Sequence, residues 1–81
     1  MIRHTTRRAA ERALDAQPVG GFCIEVGPQE HERGLGLYFV SHPHRGHWVL
    51  MSRRREINDP VLGGSIDAVL NVVFPGTRGG R

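Results

Sequence analysis

Lysine is missing from this chain altogether, and cysteine occurs once, as Cys23. One cysteine rules out an intrachain disulfide and fits a reducing compartment. It sits in the apolar run Phe22–Val26 without a neighbouring CxxC or an evident base, which makes it a structural thiol, since reactivity needs an electropositive, exposed setting. Without lysine, and without a helix directly after it, Gly34-x-Gly36 is not a phosphate-binding loop. Long apolar runs are also lacking. No stretch approaches the roughly 18 residues needed to span a bilayer, and the first residues, Met1 to Arg8, have no apolar middle of the signal-peptide kind. A cytoplasmic protein without membrane association is the expectation.

Aromatic side chains are few: one Trp, one Tyr and three Phe among 81 residues, of which 38% are apolar. A chain of this length forms one domain with a thin core, burying about 60% of its unfolded surface. A homodimer, or a partner that covers more surface, stays open as a means of support.

All eleven basic side chains are arginine, and the formal net charge is +3. Arginine suits bidentate contacts to phosphate or carboxylate. Yet Arg78 and Arg81 lie in the glycine-rich tail, and without them nine arginines face eight acids. Where the charge sits therefore matters more than its sum.

Residues 5–16 read as a helix capped by Thr5 or Thr6, with Ala9, Ala10, Ala13 and Leu14 as its apolar stripe; Pro18 and Gly20-Gly21 end it. Arg3, Arg7 and Arg8 fall at the positive end of its dipole, which is unfavourable by about 0.3–1 kcal/mol per charge unless an anion binds there. Phe22–Val26, Leu35–Ser41 and His47–Ser52 read as strands joined by short links, an antiparallel meander. Ile57-Asn58-Asp59-Pro60 reads as a break. Gly63-Gly64 argues against a long helix from Pro60, so Ser65 is expected to cap a helix reaching about Val73, with a fourth strand through residues 68–74 as the competing assignment. Residues 1–76 form the domain and residues 77–81 a disordered tail.

The expected fold class is thus α+β: a two-layer α-β-β-β-α arrangement, with a three-stranded antiparallel sheet and both helices on one face. The other face is left without a cover. Placing Phe22, Ile24, Leu35, Leu37 and Phe39 toward the helices turns Cys23, Glu25, Tyr38 and Val40 outward. On the last strand either Trp48 with Leu50 or Val49 with Met51 faces out. Tyr38, Val40 and Trp48 are accordingly candidate partner-binding residues on an exposed apolar patch.

His42, His44 and His47 make an HxHxxH pattern, but no carboxylate or thiolate stands near it, so solvated turn histidines are expected rather than a metal centre. No cofactor is implied. His31, between Glu30 and Glu32, is the candidate general base. Arg53-Arg54-Arg55 follows the last strand and, brought together with Arg7, Arg8 and Arg12, would form a positive stripe able to follow a phosphate backbone.

The α-β-β-β-α order resembles the double-stranded-RNA-binding-domain fold, and the second half of the chain is similar to the HicA-type mRNA interferase toxins. The residues that carry this are Tyr38-Phe39-Val40-Ser41-His42-Pro43, Val49-Leu50-Met51, Arg53-Arg54-Arg55-Glu56-Ile57 and Gly64-Ser65-Ile66-Asp67-Ala68-Val69-Leu70. The resemblance implies an RNA-binding or toxin-like module. The family's catalytic histidine opens the second strand; here that stretch is Gly34-Leu35-Gly36-Leu37-Tyr38, and His31 is the nearest histidine. Three functions follow: a nucleic-acid-binding module using the arginines, a phage-type inhibitor such as an anti-CRISPR docking on a larger protein or nucleoprotein complex, and a HicA-like ribonuclease with a displaced histidine.

Overall fold

The computed structural model describes residues 3–28, 38–54 and 57–76. In chain order they form β1 (Arg3–His4), α1 (Arg7–Asp15), β2 (Ile24–Val26), β3 (Tyr38–His44), β4 (His47–Arg54), β5 (Ile57–Gly64) and α2 (Ile66–Val73). The fold is α+β. Its sheet has five strands, not three, in the order β1-β2-β3-β4-β5, with β1 parallel to β2 and every other pair antiparallel.

Both helices start where the sequence places their caps. The Thr6 hydroxyl accepts from the Ala9 amide at 3.2 Å and the Ser65 hydroxyl from the Ala68 amide at 3.1 Å, each satisfying an N–H with no partner inside its helix. Asp67 then puts a negative charge in the first turn of α2, where the dipole favours it. Residues 66–73 are helical, which removes the strand alternative.

Two strands escaped the reading of the sequence. β1 is only two residues long and is defined by pairing with β2, Arg3 opposite Glu25 and His4 opposite Val26. β5 was expected to be a break because Asn, Asp, Pro and Gly are depleted in strands. It forms as an edge strand, and edges and bulges are where a sheet tolerates a proline without an N–H to donate. Leu50 pairs with Leu62 and Met51 with Pro60, so Val61 is the extra residue of a bulge at the proline.

The core lies on one side of the sheet. Ala10 and Leu14 of α1, Val26, Val40 and Leu50 of the central strands, and Val69, Leu70, Val73 and Phe74 from α2 and its end are buried together. Ile24, Tyr38, Trp48, Leu62 and Ile66 pack against them. The pairings Ile24–Val40–Leu50–Leu62 and Val26–Tyr38–Ser52–Asp59 set which way each strand faces. The expected orientation of β3 is therefore reversed: Tyr38 and Val40 point to the helices and Phe39 points away. A strand slipped or misread by one residue flips all its side chains. The near-continuous apolar run Leu35–Val40 offers an apolar set at either parity, whereas Ile24 and Val26 on the paired strand do not. On β4, Trp48 and Leu50 face in, and Val49 and Met51 are left on the open side. Among the described residues no helix is long and apolar enough to cross a membrane.

The three buried residues of α1 are Arg7, Ala10 and Leu14, at i, i+3 and i+7. An arginine thus occupies the inward stripe of a helix. Its guanidinium reaches both helices: Nε donates to Glu11 Oε1 at 3.0 Å, Nη1 to Asn71 Oδ1 at 2.9 Å and Nη2 to Asp67 Oδ1 at 2.5 Å. The Arg7 side chain is 7% exposed, while that of Asp67 is 63% exposed. Arg7→Ala leaves carboxylates that water can reach, so the loss is that of the charge-assisted hydrogen bonds and the packed stem, about 1–3 kcal/mol. Urea denaturation should show that loss, whereas Arg8→Ala, exposed on the same helix, should stay within about 0.5 kcal/mol.

Candidate interaction surfaces

The arginines do not gather into one stripe. Arg7 is buried between the helices, and its charge is met by Asp67 and Glu11. At the start of α1 a carboxylate of the chain itself, Asp67 from α2, thus meets the Arg7 charge. Arg8 and Arg12 are exposed, one turn apart on α1. Arg53 is exposed on β4 at the same parity as Val49 and Met51, on the face turned away from the helices. The helix arginines and Arg53 therefore belong to opposite layers. Of Arg54 only its place as the last residue of β4 is described, and Arg55 lies outside the described residues, as does His31.

The open face has an apolar centre. Glu25, Phe39, Met51 and Pro60 are successive partners across β2, β3, β4 and β5, and Ser41, Val49 and Gly63 form the next row on that side. Phe39, Val49 and Met51 are half-buried by their neighbours alone. Beyond β2, Arg3 pairs with Glu25 at 3.0 Å. Toward β5 the His47 ring lies over Gly63, where an added Cβ would come within 2.8 Å of it. The residues expected to bind a partner do not sit here: Val40 is fully buried, and Tyr38 and Trp48 pack on the core. The face that sequence reasoning missed is that of Phe39, Val49 and Met51, whose signal was the pairing partner of each strand rather than any motif.

The histidines also divide. His42 is 7% exposed, a correction to its expected place in a solvated turn. β3 runs on through His44, and His42 falls on the same inward parity as Tyr38 and Val40, ahead of the irregularity that lies between Ser41 and His44. Its ring stacks on that of Trp48, centroids 4.3 Å apart and planes at 11°. His42 Nδ1 lies 2.8 Å from the Gln17 carbonyl oxygen. A carbonyl only accepts, so Nδ1 carries a proton. His44 and His47 face each other across the hairpin with ring centroids 6.3 Å apart. Among the described residues no three His, Cys, Asp or Glu side chains come together in a way that could hold a metal ion.

The segment between α1 and β2 is fastened to this buried histidine. The Gln17 side-chain amide donates to the Phe22 carbonyl at 2.8 Å and to the Val40 carbonyl at 3.4 Å. The Gly20 amide donates to the His42 carbonyl at 2.9 Å, and the Gly21 amide to the Pro18 carbonyl at 3.1 Å. His42 Nε2, Trp48 Nε1 and Gln17 Oε1 are buried with no protein partner. Cys23, at the end of the segment, is a half-buried free thiol.

Compared with protein families, curated proteins and solved structures, the chain matches none.

Nitrogen NMR at neutral pH should find the His42 ring protonated at Nδ1, with a proton that exchanges slowly with water. Replacing Gln17 by Gly leaves the Gln17 backbone carbonyl in place, so the Nδ1 proton should persist in that variant while the amide of Gly20 exchanges faster.

Proposed function

We propose that this protein is a small binding module, without catalysis of its own, that docks on a larger protein or nucleoprotein complex through the uncovered face of its sheet. One observation carries the reading: Phe39 and Met51 stand opposite each other on adjacent central strands, with Val49 in the next row, on the side that neither helix covers. An apolar centre ringed by Glu25, Arg53, Asn58 and His47 has the layout of a protein interface, dry in the middle and polar at the rim. An apolar patch left outward in so small a domain costs solubility unless it is covered in use. An inhibitor of the phage type, including one directed at a defence complex, acts in this way and needs no reactive group.

The nucleic-acid reading keeps one specific support, the exposed pair Arg8 and Arg12 on one face of α1. It is weaker than six arginines in a stripe, because Arg7 is already paired and Arg53 belongs to the other layer. Two phosphate contacts would give binding whose logarithm falls with the logarithm of salt at a slope near −2 for duplex RNA. The HicA-like ribonuclease reading rests on the resemblance alone and on His31.

Affinity purification with the wild-type protein as bait, compared with Phe39→Asp and Met51→Asp, separates these functions. Partner recovery is expected to fall at least tenfold for both variants, each of which should cost the fold only about 1 kcal/mol, since the positions are half-exposed strand sites. Arg8→Ser with Arg12→Ser should leave recovery unchanged. Capture that survives both aspartate variants, or RNA binding lost with the two arginines, overturns the sheet-face reading. Val40→Asp, which puts a charge into the core, is expected to unfold the domain, a loss above about 4 kcal/mol by thermal denaturation.

A further inference from the structure

The turn between α1 and β2 pairs two properties that seldom occur together in a loop: it is tied down by buried polar groups, and it holds its apolar side chains out in water. Phe22 is 94% exposed and Val19 is 52% exposed. A phenylalanine presents 150–250 Å² of apolar area, so leaving one in water forgoes much of what its burial would contribute to so small a core. Adjacent strand geometry offered an inward place, since Phe22 continues the alternation of Ile24 and Val26 on β2. The chain does not take it. Instead the Phe22 carbonyl is held by the Gln17 amide, while the Gln17 carbonyl faces His42 Nδ1 and the Gly20 amide reaches the His42 carbonyl. Gly20 sits at φ +78°, a conformation that side chains other than glycine rarely adopt, so the turn is closed by a residue chosen for shape. His42 is in turn fixed by stacking on Trp48 at the edge of the core.

We propose that residues 18–22 are a preformed recognition knob, and that Phe22, with Val19 on the same turn, enters an apolar pocket on a protein partner. Three observations select a protein. First, the amides of Gly20 and Gly21 and the carbonyl of Phe22 are already bonded within the chain, so a pocket that takes the turn has fewer backbone groups to satisfy. Second, fixing the loop beforehand removes most of the ordering cost that a single aromatic anchor would otherwise have to offset. Third, the chain from Ala13 to Ile24 contains no cation and one acid, Asp15. An anionic lipid surface and a nucleic acid both demand positive charge beside the aromatic, and this turn has none. Two such knobs meeting across a twofold axis would bury far less than the roughly 800 Å² per partner of a stable interface, which disfavours a second copy. The knob is a surface separate from the open sheet face and stands whether or not that face binds.

The test places benzoylphenylalanine at position 22 of the full chain, in the cells that naturally make it, and irradiates them. The expected result is one dominant crosslinked protein. That protein, purified, is then titrated calorimetrically with wild type and variants. Phe22→Ser should weaken binding at least about 30-fold, the signature of an anchor residue. Its circular dichroism and Tm should match wild type, because the side chain makes no part of the core. Gln17→Gly keeps Phe22 but releases the turn, and should weaken binding several-fold with faster hydrogen exchange at Gly20. Phe39→Asp in the same titration reports on the sheet face, so its effect and that of Phe22→Ser are read independently. A crosslink only to another copy of this chain, flotation with vesicles of phosphatidylcholine and phosphatidylglycerol that is lost in Phe22→Ser, no crosslink at all, or a Phe22→Ser affinity within threefold of wild type would each overturn the proposal.

Discussion

The arrangement rests on an arginine in a place where helices of this kind put leucine. With only Ala10 and Leu14 fully buried beside it, α1 has too narrow an apolar stripe to hold its position by hydrophobic contact alone. Arg7 extends that stripe by its aliphatic stem and then fastens the helix to α2 through Asp67 and Asn71, which lie one turn apart. A planar guanidinium with several fixed donors suits this bridge, and the single charge of a lysine would not reproduce it. The same contact meets the positive charge at the start of α1 with a carboxylate, so a charge placed unfavourably for its own helix becomes favourable for the pair.

Joining the helices fixes the sidedness of the sheet. α1 lies over β1 and β2, α2 over β4 and β5, and the two touch each other, so the whole apolar layer is on one side. The central strands nevertheless alternate apolar residues on both sides: Val40 and Leu50 inward, Phe39 and Met51 outward. A domain with a core this small would gain from turning Phe39 inward, but register forbids it, because β3 must put Val40 between Ile24 and Leu50. The open apolar centre is therefore a consequence of the same alternation that builds the core.

How much of this was legible in the sequence follows from how local each signal is. The helices were legible because their caps, Thr6 and Ser65, and the stop of α1 at Pro18 act over a single turn. That Gly63-Gly64 breaks any helix from Pro60 was legible for the same reason. β5 was not, since its residues are poor strand formers and the strand exists only because the unpaired edge of β4 recruits it. Nor was the facing of β3, as Leu35 to Val40 is apolar at both parities and the choice is made by Ile24 and Val26 on another strand. Arg7 and Arg53 looked alike as charges in a line of letters. Their opposite fates depend on contacts 60 and 64 residues away, from Asp67 and Asn71. His42 looked like its neighbours His44 and His47, and only the extension of β3 past Ser41, at the parity of Tyr38 and Val40, turns it inward.

Among the described residues the polar side chains taken into the interior are Arg7, Gln17 and His42, and each joins two elements of the fold. Arg7 ties helix to helix. Gln17 and His42 tie the α1–β2 turn to β3 from both sides, and Trp48 holds His42 in place. Burying such groups is costly unless their bonds are made, so a loop fastened in this way has its shape enforced at the expense of stability. A loop that merely connects α1 to β2 needs no such fastening: the eight residues from 16 to 23 could cross the sheet edge in many conformations. Fastening one turn to two elements through buried side chains is intelligible if the turn's outward side chains, Val19 and Phe22, must be met in a fixed geometry.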